Sequence, residues 1–352
     1  MIRYLDNAAT TPLLPCARAA MEAAPHANPS SAHKEGLRAR KALEEARRSI
    51  AQNIHCCPSE VYFTSGSTEA CNWAIHSMTR TGYSRAVSSL QISPYEHAAV
   101  YENAWKLQVY DKNNDLAHTL ADSVTGEIFP VAQLAQERRA EAPGALVFSD
   151  ATAAVGHIPV DFSALGIDYM AFGAHKFGGP KGIGCLIARK NAPLPPLLMG
   201  GGQESGKRSG TVSVELVCGM AAALEAHTKN REAEQRHVSA LRDQIIETVL
   251  SSVPGSRLNG PWTKGSCADR LPGNVNLSFD GVIAEALVMA LSEEGICVSA
   301  GSACSAGKQT SDTSALRVPE GVRVTLSYQN NNYDVQALCE AVSRLVRQLR
   351  GR

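Results

Sequence analysis

The chain has 352 residues, 44% of them hydrophobic, which is long enough for about two domains of roughly 150 residues each and for a large buried core. Lys and Arg number 34 against 34 Asp and Glu, so no basic field draws in nucleic acid or an anionic membrane surface. No run of about 18 apolar residues suggests a membrane span, and Met1-Ile2-Arg3-Tyr4-Leu5-Asp6-Asn7 is not a basic-then-apolar leader. The expected setting is the cytoplasm, and the expected partners are a small molecule and a protein.

In chain order, short apolar runs at residues 60–64, 145–149, 168–172 and 184–188 predict strands, with helical patterns between them, as in a parallel sheet joined by crossover helices. From residue 230, Val238, Leu241, Ile245 and Val249 recur at helical spacing and predict a helix leading out of the first domain. Beyond a turn-rich stretch come strand-like residues 274–279 and 322–326, then an amphipathic helix marked by Val335, Leu338, Val342 and Leu345. The predicted class is α/β, with a large domain over 13–235 and a small α+β domain formed by 1–12 and 236–352. Ten cysteines are scattered without C-x-x-C spacing, so no zinc or redox pair is expected. Most read as small buried hydrophobes of a reducing compartment.

Four places carry candidate chemistry. Thr64-Ser65-Gly66-Ser67-Thr68-Glu69 follows a predicted strand and opens a helix, so its amides and the hydroxyls of Ser67 and Thr68 suit an anion; a plain helix cap explains the same string. Asp150 ends a strand, where a carboxylate can hold a pyridine nitrogen protonated or merely close a turn. His97, in Ser93-Pro94-Tyr95-Glu96-His97, can stack on a flat ring or sit as an ordinary histidine. Lys176, between a strand and Phe177-Gly178-Gly179-Pro180, offers an amine able to hold pyridoxal phosphate covalently.

The sulfur chemistry has a separate candidate. Cys304 stands in Ser302-Ala303-Cys304-Ser305-Ala306-Gly307, the one cysteine among small polar residues, and reads as an exposed, mobile nucleophile or as an idle surface thiol. Two tempting strings fail on mechanism. Gly201-Gly202-Gln203-Glu204-Ser205-Gly206-Lys207 approaches a P-loop, but Arg208 occupies the magnesium-binding Ser/Thr position. Gly182-Ile183-Gly184 lacks the third glycine and following helix of a dinucleotide loop.

Taken in register with Tyr4-Leu5-Asp6-Asn7-Ala8-Ala9-Thr10-Thr11-Pro12, Asn28-Pro29-Ser30-Ser31-Ala32-His33 and the segment from Gly200 to Thr211, these strings resemble the cysteine desulfurase branch of the class V aminotransferase-like family. The resemblance spans nearly the whole chain. It implies a fold type I pyridoxal-phosphate-dependent transferase, with a mostly parallel seven-stranded sheet in the large domain. It implies that Lys176 holds the cofactor, Asp150 faces its pyridine nitrogen and His97 its ring. Ser67, Thr68 and His175 would hold the phosphate, and Thr211 the phosphate of a neighbouring subunit, which implies a homodimer. Arg323 and Asn28 would serve the substrate, L-cysteine. Cys304 would take its sulfur as a persulfide for an acceptor protein, leaving L-alanine, with no metal required.

Three departures stand against the family pattern. Ala154 occupies the place expected for a glutamine near the cofactor, Ser123 that of an asparagine, and Gly173 that of a serine that binds phosphate. The chain also ends soon after its last helix, without the tail of scaffold-serving desulfurases. These departures keep other readings open: a selenocysteine lyase, another class V lyase or aminotransferase, or a weakly active, cofactor-binding regulator of another desulfurase.

Overall fold

The computed structural model describes residues 2–79, 90–106, 115–301 and 321–351, without the side chains of 105 and 106. Cys304 lies outside the described residues. The chain divides into two compact units. The larger is Pro12–Leu120 with Pro130–Lys229, and the smaller is Met1–Thr11, Ala121–Phe129 and Asn230–Arg352.

In order, the elements begin with β1 (Arg3–Tyr4), α1 (Pro15–Ala23), α2 (Lys34–Ile54), β2 (Val61–Thr64), α3 (Ser67–Thr79), β3 (Leu90–Ile92) and α4 (Ala98–Lys106). Next come β4 (Asp115–Ala117), α5 (Val131–Glu141), β5 (Val147–Asp150), α6 (Phe162–Leu165), β6 (Tyr169–Gly173) and β7 (Gly184–Ala188). The chain closes with α7 (Val214–Ser252), β8 (Ser256–Leu258), β9 (Asn274–Phe279), α8 (Ala284–Glu293), β10 (Ile296–Cys297), β11 (Ser299–Ala300), β12 (Val322–Thr325) and α9 (Asn332–Arg350).

In the larger unit, six strands are ordered β2-β7-β6-β5-β4-β3 among the described residues, where seven are expected. β3, β4, β5 and β6 run parallel, whereas β7 runs antiparallel to both of its neighbours, β6 and β2. All strands but β7 therefore point the same way, and their C-terminal ends share one edge, where open α/β sheets present ligand sites. The core beside the sheet includes Trp73, Phe148, Tyr169 and Leu186, all fully buried. β5 begins two residues later than its apolar run. Asp115 takes the Leu146 amide and a turn takes that of Ala145, so the ladder starts at Val147.

In the smaller unit, β11-β12-β9-β8 form an antiparallel sheet, and β1 pairs in parallel with β10. Val335, Leu338, Val342 and Leu345 of α9 and Val238, Leu241, Ile245 and Val249 of α7 enter one core. Asn331 caps α9 by accepting from the amides of Tyr333 and Asp334, while Asp334 accepts in return from the Asn331 amide. Such reciprocal capping fixes where the helix starts. α7 begins at Val214 rather than near 230, because nothing in VELVCGMAAALEAHTK breaks a helix and alanine and leucine favour one.

The cysteines depart from expectation. Of the nine described, only Cys71, Cys185 and Cys339 are buried, while Cys16 and Cys57 are exposed. A small side chain carries too little apolar area to enforce burial where its helix or turn faces water.

Candidate active site

The C-terminal edge of the large sheet gathers most of the candidate groups. Ser67 and Thr68 open α3 directly after β2, Asp150 is the last residue of β5, and Ala174–Lys176 form a 3-10 turn directly after β6. His97 follows β3 and immediately precedes α4. Asp150 lies opposite Ala171 in the β5–β6 ladder, which brings these two strand ends side by side.

The turn before α3 is held from several sides. Thr64 Oγ1 donates to the Gly66 carbonyl at 2.9 Å, and the Ser65 amide donates to Glu69 at 2.7 Å. Arg208 grips Glu69 with two bonds of 2.8 and 3.0 Å. Burial opposes the Glu69 charge, yet the bonds from Arg208 and Ser65 hold its carboxyl below its ordinary range. The arginine that rules out a P-loop thus anchors this turn. Gly184 is required beside it, since a Cβ there would stand 2.5 Å from the Gly66 carbonyl carbon. Gly173 bares its backbone toward the same helix start: a Cβ would meet Ser67 Oγ at 3.3 Å, the Ser67 amide at 3.4 Å and the His175 ring at 3.5 Å. Ser67, Gly173 and His175 are therefore neighbours at a helix N-terminus, whose amides favour an anion.

Asp150 is buried, and its two carboxylate oxygens have different donors. Oδ1 accepts from the Thr152 amide at 2.9 Å, and Oδ2 faces the Cys71 thiol at 3.7 Å. His97 is half-buried, and its Nδ1 accepts from the Ala99 amide at 3.1 Å. It caps α4 and, when neutral, carries its proton on Nε2. Lys176 is half-buried, and its carbonyl is bonded by the His157 ring at 2.9 Å. Burial, Lys176 and Lys181 together lower the His175 pKa to about 4, so its ring is neutral at physiological pH.

The remaining candidates are placed differently. Asn28 is exposed, and its side chain accepts from the Ser30 amide at 2.9 Å, closing a local turn. Thr211 is exposed just ahead of α7. Arg323, in the smaller unit, is 2% exposed; its Nη2 donates to Asp6 at 2.9 Å and its Nη1 to the Ser123 carbonyl at 3.3 Å. Its Nε lacks a partner among the described residues. The Asp6 pairing was not foreseen, although Asp6 belongs to one of the quoted strings. Ala154 is 0% exposed with no ligand present, so it does not line an open site, while its neighbour Ala153 is half-buried. The expectation that position 154 faces a cofactor is corrected by this burial. No cluster of metal-ligating side chains occurs among the described residues.

Residues 3–112 and 102–338 match the family described as aminotransferase class-V. A cysteine desulfurase IscS of Dictyoglomus turgidum is 34% identical over 99% of this chain and 95% of its own length. The chain belongs to the class-V aminotransferase family, on its cysteine desulfurase branch. An IscS-like cysteine desulfurase of Mycobacterium tuberculosis is also 34% identical, over 99% of this chain and 97% of its own. A solved NifS-like protein shares the fold with a TM-score of 0.87 at 27% identity, covering 99% of this chain and all of its own. The α/β, fold type I expectation therefore stands, for a family that works with pyridoxal phosphate. Among the described residues no helix is long and apolar enough to cross a membrane.

Proposed function

We propose that this chain is a pyridoxal-phosphate-dependent cysteine desulfurase that converts L-cysteine to L-alanine and carries the sulfur as a persulfide on Cys304. The observation that carries the reading is the shared sheet edge, with Ser67, Asp150, His175 and Lys176 at neighbouring strand ends. The residues present fit the cofactor. The start of α3, the bare face of Gly173 and neutral His175 suit its phosphate, and buried Asp150 suits its ring nitrogen. When bound, the cofactor supplies an electron sink for the bond changes at the substrate.

The chain's own residues have the other duties. The Lys176 amine holds the cofactor covalently and afterwards moves the proton at the substrate α-carbon. Asp150 would face the ring nitrogen and favour its protonated form, and His97 offers its ring face and the proton on Nε2. Thr68 supports the phosphate from one protomer and Thr211 from its partner in a homodimer. Arg323 serves the substrate carboxylate, a task suited to a planar guanidinium, with Asp6 holding it in reserve. Asn28 borders the substrate. At Cys304 the thiolate forms a bond to the substrate sulfur as that sulfur parts from the β-carbon, which gains hydrogen. Sulfur is oxidised to the persulfide level, the carbon is reduced, and no external oxidant is needed. An acceptor protein in the cytoplasm then takes the sulfur.

The test is alanine and sulfide release from L-cysteine by the purified, cofactor-loaded protein, with mass analysis of Cys304. Stoichiometric alanine and a persulfide on Cys304 are expected. A loaded protein that releases no alanine would instead be the cofactor-binding regulator, and a clear preference for selenocysteine would make it a lyase of that substrate.

A further inference from the structure

The turns that follow β5 and β6 carry Asp150 and Lys176, and they meet at two neighbouring points. At the first, Gly156 adopts a φ of +86°, and a Cβ there would stand 2.4 Å from the Phe177 Cβ. Glycine is required both by this backbone angle and by the closeness of fully buried Phe177. At the second, His157 Nε2 lies 2.9 Å from the Lys176 carbonyl oxygen. A carbonyl only accepts, so Nε2 donates, and the hydrogen of the neutral ring sits there rather than on Nδ1. The His227 ring of α7 stands 6.2 Å from that of His157, tilted by 53°, within the range at which rings pack.

Neither turn has slack. The Asp150 carbonyl accepts from the Leu120 amide at 2.9 Å and from Thr119 Oγ1 at 3.0 Å. Beyond it, the Thr152 amide donates to Asp150 Oδ1 at 2.9 Å, and the amides of Ala154 and His157 donate to the carbonyls of Ala151 and Ala154, each at 3.0 Å. After β6, the Ala174 carbonyl accepts from the Phe177 amide at 3.1 Å and the Gly179 amide at 3.0 Å, which closes the 3-10 turn that holds Lys176. The bond from His157 joins these two closed turns. It fixes the backbone from which the lysine side chain leaves against the carboxylate at the end of β5.

Resting on the cofactor reading above, we infer that His157 is a positioning residue: through its Nε2–H bond to the Lys176 carbonyl it sets where the lysine amine is presented relative to Asp150. Covalent attachment and proton transfer each need the amine within bonding reach of an atom held elsewhere, so a small misplacement of its backbone lowers both. A single hydrogen bond to a half-buried ring is felt as about a three- to tenfold change.

The experiment compares the parent with His157→Gln and His157→Asn. The two substitutes differ by one methylene: the glutamine amide nitrogen reaches the place of Nε2, the asparagine one only that of Nδ1. His157→Gln should bind pyridoxal phosphate and release alanine within about twofold of the parent. His157→Asn should lose about three- to tenfold in cofactor affinity and in kcat, with KM for cysteine little changed. Two variants that behave alike would overturn the proposal. On the cofactor-free proteins, hydrogen exchange is followed at the Phe177 and Gly179 amides, with α9 as the internal reference. His157→Asn should speed exchange at both amides about three- to tenfold and leave α9 unchanged; unchanged exchange at Phe177, or acceleration throughout the chain, would sink the local role. Nitrogen NMR of the parent at neutral pH provides a readout that does not depend on how the variants fold. It should show the His157 hydrogen on Nε2, and a neutral ring with its hydrogen on Nδ1 contradicts the bond. If the parent binds no cofactor at all, the functional reading falls, while the exchange and NMR arms still judge the clamp.

Discussion

Two buried glutamates of the larger unit, Glu204 and Glu96, show how differently one residue type is used. Glu204 accepts from Arg47 through two bonds of 2.9 and 2.7 Å and from the Phe63 amide at 2.9 Å, and the Arg47 guanidinium lies 4.6 Å from the Phe63 ring centroid. Every strong interaction of that charge is met within the protein, so it staples α2, β2 and the loop before α7. Glu204 and Ser205 adopt positive φ values of 48° and 57°, a strained conformation that persists only where surrounding contacts impose it. Glu96 is as buried, yet among the described residues no side chain donates to its carboxyl oxygens, and burial and the Asp150 charge push it well above its ordinary range. Burial of a charged residue does not identify its role. Full pairing marks a structural staple, and a buried carboxyl without such pairing needs an explanation of its own.

The sharpest way to break this contrast is Lys176→Ala, which alters the sheet edge that carries the proposed site. Alanine release should fall on the order of 10³-fold or more, while the unfolding midpoint of the cofactor-free protein stays near the parent's. A reducible lysine adduct that survives the substitution would show that a different lysine holds the cofactor.

Arg47→Ala attacks the paired glutamate and should act the other way. Leaving Glu204 buried and unpaired should cost about 3–5 kcal/mol of stability, read as a lowered denaturant midpoint, with cofactor affinity little changed below the transition. A loss of cofactor affinity at unchanged stability would show that this pair belongs to the site.

The smallest effect separates two adjacent alanines. Ala154→Gln places an amide in a fully buried position and should cost about 1–3 kcal/mol by overpacking, whereas half-buried Ala153 should accept glutamine with little loss. If Ala153→Gln changes the visible absorption of the loaded protein and Ala154→Gln only its thermal stability, the cofactor-facing position is 153.

Much of the fold is legible in the residues because the signals are local. The run at 184–188 and the strand at 274–279 are apolar segments bounded by turns, and both form over those residues. α9 announces itself by the apolar spacing of Val335, Leu338, Val342 and Leu345, while its Asn331–Asp334 cap emerges only in the structure. The short β3, β4 and β8, of three residues each, carry too few residues for a periodic signal and are formed by ladder partners elsewhere in the chain. The assignment of Ala121–Phe129 to the smaller unit likewise depends on distant partners. Asn274 donates to the Ser123 carbonyl and Asn276 to that of Val124, both from β9.

The sequence by itself determined the alternation of strands and helices, the family strings and the placement of Ser67, Asp150, His175 and Lys176 next to predicted strand ends, since each depends on neighbours a few residues away. Only the tertiary structure decided that those strand ends share one edge, that Arg208 holds Glu69, that Arg47 satisfies Glu204, and that buried Glu96 has no such side-chain partner among the described residues. Each of these joins residues far apart in the chain. Whether a buried charge is paired is a property of the space around it, which residue order does not display until the sheet brings its edges together.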